Sequence, residues 1–125
     1  MAIDFKDDDC KKEFNDDRLD CRIRTIIFAL AGFVEFTFGK DITITSVWRP
    51  HTTDSGVHEA WRAVDVRSIY FTDDEIKAIL AFLNSFFYGK SSAGQDLQTA
   101  ICHDVGQGIH IHAQVSSSNF TLLSK

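Results

Sequence analysis

Two short stretches hold the residues with chemistry in them. His58 and Asp65 stand seven residues apart after Trp48-Arg49-Pro50, and His110-Ile111-His112 follows about forty residues further on. Two imidazoles and one carboxylate, with room left for a water, are the ligand set of a catalytic zinc. A structural zinc is normally closed by four protein ligands, often thiolates, and Cys10, Cys21 and Cys102 have no spacing suited to that. The two stretches lie far apart in the chain, so only folding could unite them.

The elements that must do so can be read from periodicity. From about Asp9 to Phe38 apolar residues recur at helical spacing, which predicts one or two helices ending near Gly39, a C-cap glycine; residues 1–8 read as a polar, frayed start. Ile42-Thr43-Ile44-Thr45-Ser46-Val47 alternates and is β-branched, predicting a strand that Pro50 breaks. A polar loop follows through Gly56, and Ala63-Val64-Asp65-Val66 is a short strand. Thr72, with Glu75 three residues on, predicts a capping box opening a helix to about Tyr88, with Ile76, Ile79, Leu80, Leu83 and Phe87 toward the core. Gly89 to Gly94 reads as a flexible turn, and 99–102 and 108–115 as antiparallel strands around a loop at Asp104–Gln107. The expected fold is a single α+β domain over residues 1–125, a small antiparallel sheet flanked by helices.

Period-two geometry sets His110 and His112 on one face of their strand and Ile109, Ile111 and Ala113 on the other. An apolar back face packed on a helix, with two imidazoles facing outward, is how a sheet presents a metal. Alone, such a pair is commonly two histidines at a partly exposed strand end. The presence of His58 and Asp65, where a loop turns back into a strand, tips the reading toward a metal.

Bulk properties narrow the function further. A hydrophobic share of 44% with eleven Phe is enough for a real core. The net charge of −5, with many acids in the first twenty residues, argues against a sequence-independent nucleic-acid binder, which needs a basic stripe. The odd number of cysteines, without a Cys-x-x-Cys pair, reads as buried or free thiols in a reducing compartment. The acidic N-terminus gives no signal peptide, and the run Ile26–Phe38 comes too late for one and is too short to span a bilayer. The expectation is a cytoplasmic protein, monomeric, without membrane or nucleic-acid partners, unless another protein lets it out of the cell.

Ser46-Val47-Trp48-Arg49-Pro50, Ser55-Gly56-Val57-His58, Arg62-Ala63-Val64-Asp65 and the late Gly108-Ile109-His110-Ile111-His112 together resemble the signature of zinc D-alanyl-D-alanine peptidases. Hedgehog-type and phage endolysin domains share it. The family pattern runs Ser-Gly-Tyr-Arg, then Ser-x-His-x-x-Gly-x-Ala-x-Asp, then a late His-x-His or single His. The resemblance covers about residues 42–115 and implies a hedgehog/DD-peptidase-like fold, zinc as cofactor and peptidoglycan stem or cross-link peptides as substrate. It implies that His58, Asp65 and His112 hold zinc, with His110 a catalytic histidine beside them and Arg49 on the substrate's carboxylate or peptide carbonyl. Ser55 would either hydrogen-bond near the metal or cap the turn.

Two residues depart from the pattern. Trp61 stands where the family usually has Gly, implying a side chain packed over the loop or a reshaped cleft wall. Gln107 stands three before His110, where the family places a Glu, Asp or His as general base, and an amide has no useful pKa for that work. His110 itself, Asp104, His103 or Glu59 could take the proton instead. The implied function is a small zinc peptidase of the type phages use as lysins. The rival is a metal-binding but non-catalytic domain, kept for peptidoglycan binding or as a virion or assembly component.

Overall fold

Ile23, Ile26, Ile27, Leu30, Ala31 and Val34 repeat at three- and four-residue steps, and in the computed structural model all six lie buried along one face of a single helix. The structure describes residues 3–49, 60–90, 96–104, 109–115 and 120–122, with side chains over 3–49, 60–85, 99–102 and 109–115. In chain order the elements are β1 (Ile3–Phe5), α1 (Asp8–Phe14), α2 (Cys21–Phe38), β2 (Ile42–Ser46), β3 (Ala63–Arg67) and α3 (Asp73–Phe86). They are followed by β4 (Phe87–Lys90), β5 (Asp96–Gln98), β6 (Ala100–Asp104), β7 (Ile109–Gln114) and β8 (Phe120–Leu122).

The chain is α+β. A five-stranded sheet runs in the order β1-β2-β3-β7-β6, and a three-stranded sheet in the order β5-β4-β8. The larger sheet is mixed rather than purely antiparallel, because β1 pairs parallel with β2 while the other ladders are antiparallel. Residues 3–5 were expected to be frayed; instead Ile3 lies opposite Ile42 and Phe5 opposite Ile44. Both apolar side chains pack against the core, which gives so short a strand its hold.

The helical stretch divides in two because an acid just before it and another inside it act as caps. The Asp7 carboxylate accepts from the Cys10 amide and that of Asp20 from the Arg22 amide, each at 2.9 Å, starting α1 and α2. Gly39 closes α2 at φ 66°, its N–H donating to the Glu35 carbonyl at 2.9 Å. The capping box at α3 forms in both directions: Glu75 N donates to Thr72 Oγ1 at 3.2 Å, and Thr72 N to Glu75 Oε1 at 2.8 Å. This helix stops at Phe86, two residues before the expected end, and Gly89 lies in β4 rather than in a turn. Phe87 and Tyr88 are aromatic residues suited to a strand, and β4 has a partner on each side.

Val64 and Val66 of β3, Ile111 and Ala113 of β7, and Ile42 and Ile44 of β2 are fully buried in one core with the apolar face of α2 and with Ile79 and Leu83 of α3. The alternate residues of β3 and β7 occupy the opposite face, so this packing decides what that face presents. Among the described residues no helix is long and apolar enough to cross a membrane.

Candidate metal centre

The central ladder sets the site. β3 and β7 run antiparallel with Asp65 opposite His112, Arg67 opposite His110 and Ala63 opposite Gln114. Directly opposed residues share a face, so these six form one patch. A slip by one residue would turn Val64, Val66, Ile111 and Ala113 out of the core, and this fixes the register. The imidazoles do not stand outward as expected. His110 is 7% exposed, His112 5% and Asp65 2%, whereas Ile109, expected on the packed face, is 66% exposed at the start of β7.

Asp65 is the hub. Its Oδ1 lies 2.9 Å from His112 Nδ1, and its Oδ2 lies 2.9 Å from Arg49 Nη1 and 3.4 Å from His110 Nε2. One potential ligand atom from each of Asp65, His110 and His112 falls within a span of 4.8 Å. The β2–β3 register shifts between Ile44 and Ser46, which brings Ser46 level with Asp65. Arg49 Nη1 then donates both to Ser46 Oγ at 3.0 Å and to the carboxylate.

The chemistry of this donor set fits a metal ion. Gln114 Oε1 sits 3.0 Å from His112 Nε2, and in the Nε2–H tautomer it accepts that proton. In that tautomer the Nδ1 lone pair faces a carboxylate oxygen at 2.9 Å, and a bound cation would turn this juxtaposition into shared ligation. An amide oxygen that fixes the far nitrogen of a ligating histidine is a regular companion of metal sites. The buried group of Asp65, His110 and His112 could therefore hold a metal ion.

A cavity of about 200 Å³ reaches Asp65 and His110, and Lys6, Thr45, Ser46, Arg67 and Ile109 complete its lining. A second, of about 340 Å³, is bounded in part by Trp48, Trp61 and Arg18. Trp61 has φ 59°, the left-handed region that bulky residues rarely adopt. Its ring lies 6.1 Å from that of Trp48 and 4.5 Å beneath the Arg18 guanidinium, and its carbonyl accepts from Asp20 N at 2.9 Å. Those contacts hold it in that conformation.

Of the residues singled out in the sequence, Asp65, His110, His112 and Arg49 are brought together. His110, implied as a neighbour of the ligands, stands among them. His58, Gln107, Ser55 and Glu59 lie outside the described residues. In β6, His103 is opposite His110, in the row of the site, and Asp104 is opposite Ile109, in the alternating row. Ser46, Gln114, Lys6 and Arg67 were not singled out for the site. Two of them were within reach of the same period-two rule: Arg67 is two residues beyond Asp65, and Gln114 two beyond His112.

No protein-family model matches this chain, and no curated protein matches it. What the site does is argued from its own chemistry.

Proposed function

We propose that the protein is a zinc-dependent peptidase of the D-alanyl-D-alanine type, with a hedgehog/DD-peptidase-like fold, acting on peptidoglycan stem or cross-link peptides as phage lysins do. The observation that carries this reading is the convergence of Asp65, His110 and His112, with a cavity reaching the first two and Arg49 on the same carboxylate. The backbone of Trp61 supports it. The position where the family pattern has Gly is here left-handed, the conformation that glycine adopts without strain.

Asp65 and His112, with His58 or His110, would hold the zinc. When bound, zinc supplies Lewis acidity, polarising a carbonyl and lowering the pKa of water to about 7. Gln114 orients His112 through Nε2, and Arg49, itself held by Ser46, orients Asp65. Arg49 is paired with Asp65 and so holds that carboxylate in its ionised, ligating form. Where His58 completes the ligand set, His110 would move the proton that Gln107 cannot, taking it from the attacking water and passing it to the leaving amine.

The test is digestion of purified cell walls by the zinc-loaded protein, with mass spectrometry of the soluble fragments. Released D-alanine or peptides with new amino termini, absent in chelator, are the expected result. Walls left intact would overturn the reading. Gln107 in the general-base position favours a second one, a metal-holding protein that binds peptidoglycan or serves in an assembly without cutting. Wall binding without fragments would be its signature.

A further inference from the structure

Two cations line the cavity that reaches Asp65 and His110. Arg67 stands on β3 opposite His110, and Lys6 follows β1, its N–H donating to the Ile44 carbonyl at 2.9 Å beyond the last β1–β2 pair. The short strand missed in the sequence thus carries a positive charge to the site. Neither cation is ion-paired among the described residues. Arg67 Nη1 donates to the Tyr70 hydroxyl at 3.3 Å, with the guanidinium 5.7 Å from that ring, and the Lys6 side chain is exposed. In a chain of net charge −5, this is a local field of the opposite sign.

The family resemblance implied that Arg49 receives the substrate's carboxylate or peptide carbonyl. In this structure Arg49 is only 14% exposed and its Nη1 is engaged with Ser46 and Asp65, so its charge is spent on the protein's own carboxylate. Arg67 and Lys6 are better placed for an incoming anion. Ile109 lines the same cavity and offers an exposed branched side chain. The volume, about 200 Å³, is below the roughly 300–1,000 Å³ of cavities that take a whole drug-sized ligand. It suits the end of a chain with a small side chain.

Building on the peptidase reading above, we infer that Arg67 and Lys6 receive a free carboxylate on the substrate, with Ile109 against the aliphatic part of the same residue. The site thereby selects peptide ends over internal bonds. Charge-assisted hydrogen bonds to a carboxylate are stronger than neutral ones and weaken with salt when exposed.

The test is calorimetric binding of acetyl-D-alanyl-D-alanine and of its C-terminal amide to the zinc-loaded full chain. The acid should bind about tenfold tighter than the amide, equivalent to roughly 1.4 kcal/mol, and the gap should narrow as salt is raised. Arg67→Gln should close most of that gap while leaving amide affinity and zinc content unchanged. Lys6→Gln, at an exposed position with little bearing on folding, should close part of it. Equal binding of acid and amide by the unaltered protein, binding of neither, or an acid preference kept in full by both variants would overturn the inference. A preference for the acid that both variants weaken, in a protein that cuts no peptide, would uphold the carboxylate subsite while removing the peptidase reading.

Discussion

Replacing Arg49 by alanine separates the protein's own electrostatics from those of a bound metal. In the structure, Arg49 is the guanidinium partner of a carboxylate that is almost wholly removed from water, at 2.9 Å and with side-chain exposures of 14% and 3%. Removing one member of a buried ion pair strands the other, at a cost of roughly 3–5 kcal/mol. The low end applies here, because without metal His112 can turn to its Nδ1–H tautomer and donate to Asp65 Oδ1, and part of Arg49 already meets solvent. A loss of about 3 kcal/mol, at roughly 4 °C per kcal/mol for a domain of this size, lowers the melting temperature by about 12 °C in chelator. With zinc in excess, a divalent cation compensates the same carboxylate, and the loss should shrink to a third or less. Thermal melts of wild type and Arg49→Ala followed by circular dichroism, in chelator and in zinc, read both quantities. Equal losses in the two conditions, or a variant that melts within about 3 °C of wild type in chelator, would refute the electrostatic account.

Asp65→Ala should abolish stoichiometric zinc binding, measured by elemental analysis after dialysis, while Cys102→Ala leaves it unchanged. Gly39→Ala should cost about 1–2 kcal/mol in urea unfolding from backbone strain alone, since a Cβ there meets nothing within 4 Å. Hydrogen bonding from Lys40, then from the Thr72 amide, holds the Glu75 carboxyl below the ordinary value of 4.5. A depressed folded-state pKa contributes stability above the unfolded value, which is lost as pH falls through the folded one. Glu75→Gln should therefore be less stable than wild type near neutrality, with the gap narrowing below about pH 4 in denaturant titrations.

The elements of greatest local consistency were legible in the sequence. The capping box at Thr72 and Glu75, the stop at Gly39 and the β-branched alternation of β2 each follow from chemistry within a few residues. Where pairing with distant strands decides the outcome, local reading falls short. Ile3–Phe5 looks like part of an acidic leader until β2 supplies its partner, and Phe87 continues the apolar face of α3 until β5 and β8 draw the chain into a strand. The same holds at the site. The shared face of His110 and His112 is local, but the place of Asp65 between them depends on the β3–β7 register, and that of Ser46 on the β2 irregularity. Burial of the imidazoles could not be read from alternation, which assigns a face without saying what covers it.

The register of the central ladder also orders the events of folding. Asp65 and His112 touch across β3 and β7 although 47 positions separate them. Closing a loop of that length costs on the order of 3 kcal/mol in chain entropy before any contact repays it. β6 and β7, by contrast, are consecutive strands whose last pair, Asp104 and Ile109, is nearly adjacent in sequence. Local pairing is the faster class of event, so both histidines should be in place on the paired β6 and β7 before β3 arrives with the carboxylate, an order that φ-values at Val64 and Ile111 would check. An ion present during refolding then meets a two-nitrogen clamp first, and holding it there favours the slow docking of β3. The late step of folding and the completion of the site are the same event.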